Sequence, residues 1–418
     1  MKSPSPVWHP FTQHALQSEA TLITGAEGAW LETADGRGIL DAISSWWVVT
    51  HGHRHPHIVQ AIKNQVDRLD QVIFAGFTHQ PAEELARRLI AITPPELEYA
   101  FFSDSGSTAV EVALKMALGF WRHGGEKRSR ILALEGAYHG DTIGGMSVGQ
   151  RGVFNAPYDP LLFDVERLPF PSAGCEQATL EALGAACRNG PIAALIVEPL
   201  ILGAGGMLIY PPWVLAEMKG ICKAHGVLFI ADEVMTGWGR TGTLFACEQT
   251  GVTPDIGCYS KGLTGGSLPL AVTLCRADIF DAHYSEDRSR TFFHSSSYTA
   301  NPIACAAALA NLEIWESEPV IERIERIAAL HTDGLDRFRE DRRFANVRQI
   351  GTIAALDIVA SDAGYMASIG PRLYQSFLAR GLLVRPLGNT IYIMPPYCCG
   401  VGELDLVYEA IGEVADEI

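Results

Sequence analysis

The segment Gly226-Val227-Leu228-Phe229-Ile230-Ala231-Asp232-Glu233 decides the fold when set beside Tyr259-Ser260-Lys261-Gly262. Val227 to Ala231 is a short apolar run of the kind that crosses the middle of a parallel sheet. It stops at a carboxylate. A bare aspartate at such a place must be paired, or it is costly to bury. A second run ends at Tyr259, with a lysine at its exit and glycines after it.

Working outward, Tyr99 to Ser103, Arg130 to Leu134, Ala193 to Val197 and Pro269 to Cys275 read as further strands. Helical patterns lie between them, at 58–68, 81–92, 212–225 and 301–315. Another helix follows Ser105-Gly106-Ser107-Thr108. Its apolar face is Val110, Ala113, Leu114, Ala117 and Leu118, and Thr108 with Glu111 has capping-box spacing. Strands alternating with helices predict an α/β fold with a mostly parallel central sheet flanked by helices. Ligands of such sheets bind at the carboxyl ends of the strands. Ser103, Asp104, Glu135, Tyr138, Glu198, Asp232 and Lys261 all fall at or just beyond those ends.

The flanks read differently. Trp8 to Thr12 is an aromatic, extended arm, since residues before proline avoid the helix. Asp35-Gly36 marks a hairpin. Ser44-Ser45-Trp46-Trp47 reads as strand, which sends the two tryptophans to opposite faces and one toward a cavity. His51, His53, His55 and His57 alternate. Gly52 and Pro56 break any regular strand there, and no carboxylate partner is evident, so no metal is assigned. The charged stretch 321–343 reads as a solvated helix leading to strands within 347–358 and 383–395. The expected division is 1–50 for an arm and part of a small α+β domain built from both chain ends, 51–315 for the large domain, and 316–418 for the rest of the small one.

With 418 residues, the chain exceeds one simple core. Its 48% apolar content, 41 glycines and 23 prolines fit a globular protein. A net charge of −16 repels phosphate, which excludes nucleic acid and anionic membrane as general partners. Nine scattered cysteines, without paired CxxC motifs, point to a reducing, cytoplasmic setting. No secretory leader opens the chain, and the longest apolar run, 192–207, is broken by Glu198, Pro199 and glycines.

A lysine in such a site can be a base, a phosphate clamp or an imine former. Burial lowers its pKa and favours the nucleophilic amine. A strand-end aspartate beside it suits pyridoxal 5'-phosphate, whose ring nitrogen stays protonated next to a carboxylate. On that reading Asp232 meets the ring nitrogen and Lys261 the aldehyde carbon. Tyr138 stacks on one ring face, Val234 packs on the other, and Gly106 and Ser107 hold the phosphate at a helix N-terminus. Taken singly, a structurally paired aspartate and a merely capped helix are the plainer alternatives.

The segments DSGSTAVEVALKMA at 104–117, GAYHGDT at 136–142, LFIADEVMTGWGRTG at 228–242 and YSKGLTGG at 259–266 resemble the class III aminotransferases of fold type I. The resemblance implies a catalytic set of Lys261, Asp232 and Tyr138, with Lys261 carrying the cofactor and moving the proton. It places His139 and Glu198 in the cofactor pocket, and Ser296 and Ser297 at the phosphate of the neighbouring subunit in a homodimer. Trp46 and Tyr138 would wall the substrate channel, with Phe11, Trp47, Tyr392 and Trp8 as further walls. Arg385 would hold the acceptor's carboxylate, and Arg240 and Asp141 would lie at the donor end. Trp8 to Thr12, Ser44 to Trp47 and Val384 to Tyr397 look most like the branch that aminates 8-amino-7-oxononanoate to 7,8-diaminononanoate for biotin. That branch uses S-adenosylmethionine as donor in a ping-pong cycle through pyridoxamine phosphate. Branches acting on ω-amino acids or diamines, and lysine as donor, stand as alternatives. Three positions depart from the family pattern. Phe11 replaces a tyrosine, Met235 replaces a glutamine, and Ser295-Ser296 replaces Gly-Pro before Ser297.

Overall fold

The chain opens with an antiparallel meander of β1 (Ile23–Glu27), β2 (Trp30–Thr33) and β3 (Gly38–Asp41). This is a computed structural model, and it describes residues 5–16 and 20–417. Next come β4 (Tyr99–Ser103), β5 (Arg130–Leu134), β6 (Glu166–Leu168) and β7 (Ile192–Val197). A small hairpin of β8 (Ile201–Leu202) and β9 (Leu208–Ile209) precedes β10 (Leu228–Asp232), β11 (Ile256–Tyr259) and β12 (Ala271–Cys275). The last strands are β13 (Phe344–Ile350), β14 (Ile353–Ile358), β15 (Leu382–Leu383) and β16 (Thr390–Ile393).

Seven strands form the large sheet in the order β4-β12-β11-β10-β7-β5-β6. All are parallel except β12, which runs against both of its neighbours. Alternate residues of the central strands feed two cores, as a period of two requires. Leu132, Leu134, Leu195, Val197, Phe229 and Ala231 join one core, with the helices Glu176–Arg188 and Pro212–Ala224. Ile131, Ala133, Ala194, Ile196, Leu228 and Ile230 join the other, under the helix Gly106–His123. Both faces are covered, which is why these strands read as unbroken apolar runs. The far end of β10 is pinned by Asp255. It accepts the Phe229 N–H at 2.6 Å and pairs with Lys219 at 2.9 Å and with Arg276.

Several expectations change. Ser44–Trp47 is a kinked turn, not a strand, with Ser44, Ser45 and Trp47 at φ 54°, 58° and 65°. The chain wraps around Asp41, whose carboxylate accepts the Ser45 N–H at 2.7 Å and pairs with His53 at 2.8 Å. The helix at Gly106 is capped by Ser105 and Thr108 reciprocally, not by Thr108 and Glu111. Glu111 instead accepts the Gly144 N–H at 2.5 Å. Leu118 lies exposed at the rim of its helical face, while the other four predicted residues are buried. The helix Val320–Asp336 is amphipathic rather than solvated, with Ile324, Ile327, His331 and Leu335 in a core against Tyr408 and Leu356. That core backs the antiparallel sheet β13-β14-β16, while β15 pairs in parallel with β3, joining both ends of the chain.

Ile230 has no exposed surface, and it stands two residues before Asp232. Truncation there leaves a cavity, so Ile230→Ala should lose ~2–5 kcal/mol of stability, measured by urea denaturation.

Candidate active site

Because the strands are parallel, their carboxyl ends line one edge, and the side chains predicted there converge. A cavity of about 290 Å³ is walled by Gly106, Ser107, Tyr138, His139, Glu198, Asp232, Val234 and Lys261. Phe11, Trp46, Trp47, Arg385 and Tyr392 join its wall from the two ends of the chain.

Asp232 is buried, and its carboxylate accepts on both oxygens. His139 Nδ1 lies 2.7 Å from Oδ2, and the Val234 N–H donates to Oδ1 at 3.1 Å. Lys261 follows β11 at φ 47°, the left-handed region that few non-glycine residues adopt. Burial lowers its pKa to about 8, against the opposing pull of Asp232 and Glu198. Its Nζ sits 4.8 Å from the centre of the Trp47 ring. Glu198, just past β7, accepts the N–H groups of Tyr138 at 2.9 Å and Gly203 at 3.0 Å. Burial pushes its pKa up to about 7, with His139 opposing. Tyr138 is also shifted upward, first by burial and then by Asp141. At the helix start, the N–H groups of Gly106 and Ser107 precede any intrahelical bond. A Cβ on Gly106 would meet Val234, so that approach demands glycine.

The wall above is aromatic. The Trp47 indole donates to Tyr392 Oη at 2.9 Å. Trp46 is 46% exposed, and the Arg385 guanidinium lies 5.4 Å from its ring centre. Arg385 donates to the Phe11 carbonyl at 3.0 Å, and the Phe11 ring meets Trp46 edge-on at 5.6 Å. Met235 also lines the cavity and packs with Trp47 and Tyr392.

Other residues fall elsewhere. Arg240 lies beneath the wall, 1% exposed, and donates to the carbonyls of Trp47, Val49 and Pro395 at 3.5, 2.9 and 3.0 Å. It braces the tryptophan turn instead of joining Asp141 at the donor end, because Trp238 and Gly239 at φ 60° and 91° turn the chain inward. Asp141 lines an adjoining chamber. Trp8 is 90% exposed and outside the cavity wall. Ser296 and Ser297 lie in an exposed loop away from this chain's own cavity. There Ser296 Oγ accepts the Tyr298 N–H, and the Ser297 carbonyl accepts from Gln71. The four histidines each find a separate partner, with His51 on Asn311, His53 on Asp41, His55 on Glu318 and His57 on Glu313. Three of these partners come from distant sequence, which local reading could not see. Among the described residues no cluster is arranged to hold a metal ion. Sequence reading missed Phe154 and Tyr365 in the cavity wall. Both sit in irregular loops, where no periodicity marks a buried face.

The class III aminotransferase model matches residues 12–414, and the chain belongs to that family. The adenosylmethionine-8-amino-7-oxononanoate aminotransferase of Synechococcus elongatus is 49% identical over the whole of both chains. Its counterpart from Nitratidesulfovibrio vulgaris is 42% identical over 97% of this chain and 79% of that one. Among solved structures, the enzyme of the same name from Methanocaldococcus jannaschii superposes with a TM-score of 0.94 at 35% identity, covering 99% of this chain and 97% of that one. A PLP-bound amine transaminase from an uncultivated Pseudomonas gives 0.93 at 33%, covering both chains fully. The cofactor is therefore pyridoxal 5'-phosphate. The residues present fit it, offering a half-buried amine whose pKa burial lowers, a buried carboxylate and a helix N-terminus in one cavity.

Lys261 reacts only when neutral. Stripped of cofactor, the protein should recapture it covalently at a rate that rises with pH to a midpoint near 8, not near the ordinary lysine value. Stopped-flow absorbance across pH 6 to 10 measures this, and a midpoint above ~10 would contradict the buried-amine geometry.

Proposed function

We propose that this chain moves an amino group onto the ketone carbon of 8-amino-7-oxononanoate, giving 7,8-diaminononanoate for biotin synthesis, with S-adenosylmethionine as the donor. Arg385 carries this reading. Its guanidinium stands in the same cavity as Lys261, with no carboxylate partner among the described residues. Around it Trp46 and Phe11 supply apolar surface. That pairing suits an acceptor with an aliphatic chain ending in a carboxylate, which the planar fork grips with two hydrogen bonds. The relatives bearing that activity in their names, similar over the full chain, support it.

Pyridoxal phosphate, when bound, supplies the electron sink. Asp232 would hold the proton on its ring nitrogen, with His139 fixing the orientation of Asp232. Tyr138 and Val234 would flank the ring, and Gly106 and Ser107 would hold the phosphate. Lys261 Nζ would hold the cofactor between turnovers and move the proton at the substrate carbon. Its lowered pKa leaves a useful neutral share near pH 8.

The homodimer belongs to the same proposal. Ile73, Phe77, Phe293 and Tyr298 are exposed in the segments around the Ser296-Ser297 loop, apolar surface that a second copy would cover. Nine unpaired cysteines support a reducing cytoplasm, and no helix among the described residues is long and apolar enough to cross a membrane. The proposed small domain, 1–50 with 316–418, is supported by the pairing of β15 with β3.

A half-reaction tests the donor. S-adenosylmethionine mixed with the holoenzyme should bleach its yellow absorbance. If lysine bleaches it and S-adenosylmethionine does not, the donor is lysine. Arg385→Ala should raise KM for 8-amino-7-oxononanoate by about tenfold or more with a smaller change in kcat. An unchanged KM would mean the carboxylate is held elsewhere.

A further inference from the structure

The loop joining β8 to β9 is bound from both sides. Leu200, Gly206 and Met207 take φ of 69°, 111° and 53°. A Cβ on Gly205 would lie 2.5 Å from the Gly136 carbonyl, so the loop lies flat against the large sheet's side of the cavity. The Gly203 peptide faces two ways. Its N–H donates to Glu198 Oε2 at 3.0 Å, and the Tyr138 N–H donates to Oε1. Its carbonyl accepts the N–H groups of Gly206 and Met207 at 3.1 and 2.9 Å. The carbonyls of those same two residues are gripped by Arg348 of β13. Nη2 donates to Gly206 at 2.6 Å, and Nε donates to Met207 at 2.9 Å. Asp357 of β14 and the Asn346 carbonyl take further Arg348 donors at 2.9 and 2.5 Å, and Asp357 also accepts from Thr390 at 2.7 Å. A planar fork with four acceptors has one orientation.

We infer that Arg348 is a positioning residue for the reaction: by fixing the Gly206 and Met207 carbonyls it holds the Gly203 N–H on Glu198, and so keeps a negative charge beside Lys261. This rests on Lys261 being the residue that carries the cofactor. Glu198 needs both of its donors. Burial opposes its ionisation, as does Asp232, while His139 and the N–H groups of Tyr138 and Gly203 favour it. At about 7 it stands where the loss of one donor changes its charge in the working range. Tyr138 and Tyr210 face it as neutral hydroxyls, both pushed upward first by burial. Tyr210 Oη donates to the main-chain carbonyl of Glu198 at 2.8 Å, not to its carboxylate. Around Lys261, Asp232 and Glu198 favour the proton on Nζ, and Arg240 disfavours it. Without Arg348, therefore, Glu198 takes up its proton at a higher pH and Lys261 gives up its own at a lower one. The sign is the same whether Nζ is free or joined to the cofactor, because in both forms its proton carries the positive charge.

The test titrates the holoenzyme across pH 5 to 10 and takes the midpoint of its yellow absorbance. Arg348→Ala should lower that midpoint by roughly half a pH unit or more. Glu198→Gln, which removes the charge outright, should lower it further, and Arg348→Ala added to Glu198→Gln should lower it no more. Arg348→Lys, whose single ammonium cannot span both carbonyls, should give an intermediate shift, and it carries the test if the alanine variant does not fold. A midpoint unmoved in both Arg348 variants, with melting alone affected, makes Arg348 a brace between sheets and overturns the positioning role. An equal shift with and without the Glu198 carboxylate overturns the route through Gly203, and an unmoved midpoint in Glu198→Gln overturns the role of its charge. A titration that Lys261→Ala leaves unchanged overturns instead the reading of Lys261.

Discussion

A carboxylate buried at the end of a central strand governs this molecule. Asp232 has almost no water to solvate it, so its charge must be balanced by neighbours. His139 occupies one oxygen, and the Val234 N–H occupies the other. Lys261 and Glu198 share the same low-dielectric pocket, and their pKa values move toward each other, to about 8 and about 7. Each shift is led by burial, and each is tempered by charge of opposite sign nearby. A bound cofactor with a cationic ring nitrogen would add positive charge where the protein has gathered two carboxylates.

The parts of this arrangement that lie on strands were legible in the sequence. The apolar runs, their period and their abrupt polar ends suffice to put Tyr138, Glu198, Asp232 and Lys261 on one edge. The helix at Gly106 was equally plain, although its cap was assigned to the wrong pair. What escaped was set by non-local geometry. Phe154 and Tyr365 sit in loops that come together only once the two halves of the chain are folded. The histidine partners lie more than two hundred and fifty residues away in three cases and at Asp41 in the fourth. Arg240 follows Asp232 by eight positions in a recognisable motif, but an inward turn at Trp238 and Gly239 takes its side chain under the wall.

The acceptor side depends on a contact between distant parts of the chain. Arg385 follows β15, and its hydrogen bond goes to the backbone of Phe11 in the arm. The arm and the arginine therefore position one another. A carboxylate that engages Arg385 competes with the Phe11 carbonyl or shares the fork with it. The Phe11 ring in turn meets Trp46 and Phe154 edge to face, so the arm is also held by aromatic contacts.

The turn at Ser44, Ser45 and Trp47 has a wider bearing. Three non-glycine residues in left-handed conformations within four positions would be relieved by glycine. Their side chains explain why relief would be harmful: Ser44 Oγ grips the Met394 carbonyl, Ser45 Oγ reaches Asp41, and Trp47 faces Lys261. Consensus or stability-guided engineering would thus find tempting gains here, in a loop where backbone comfort and cavity shape are opposed. A variant selected there for heat resistance alone would harden the fold while loosening the wall that the substrates meet.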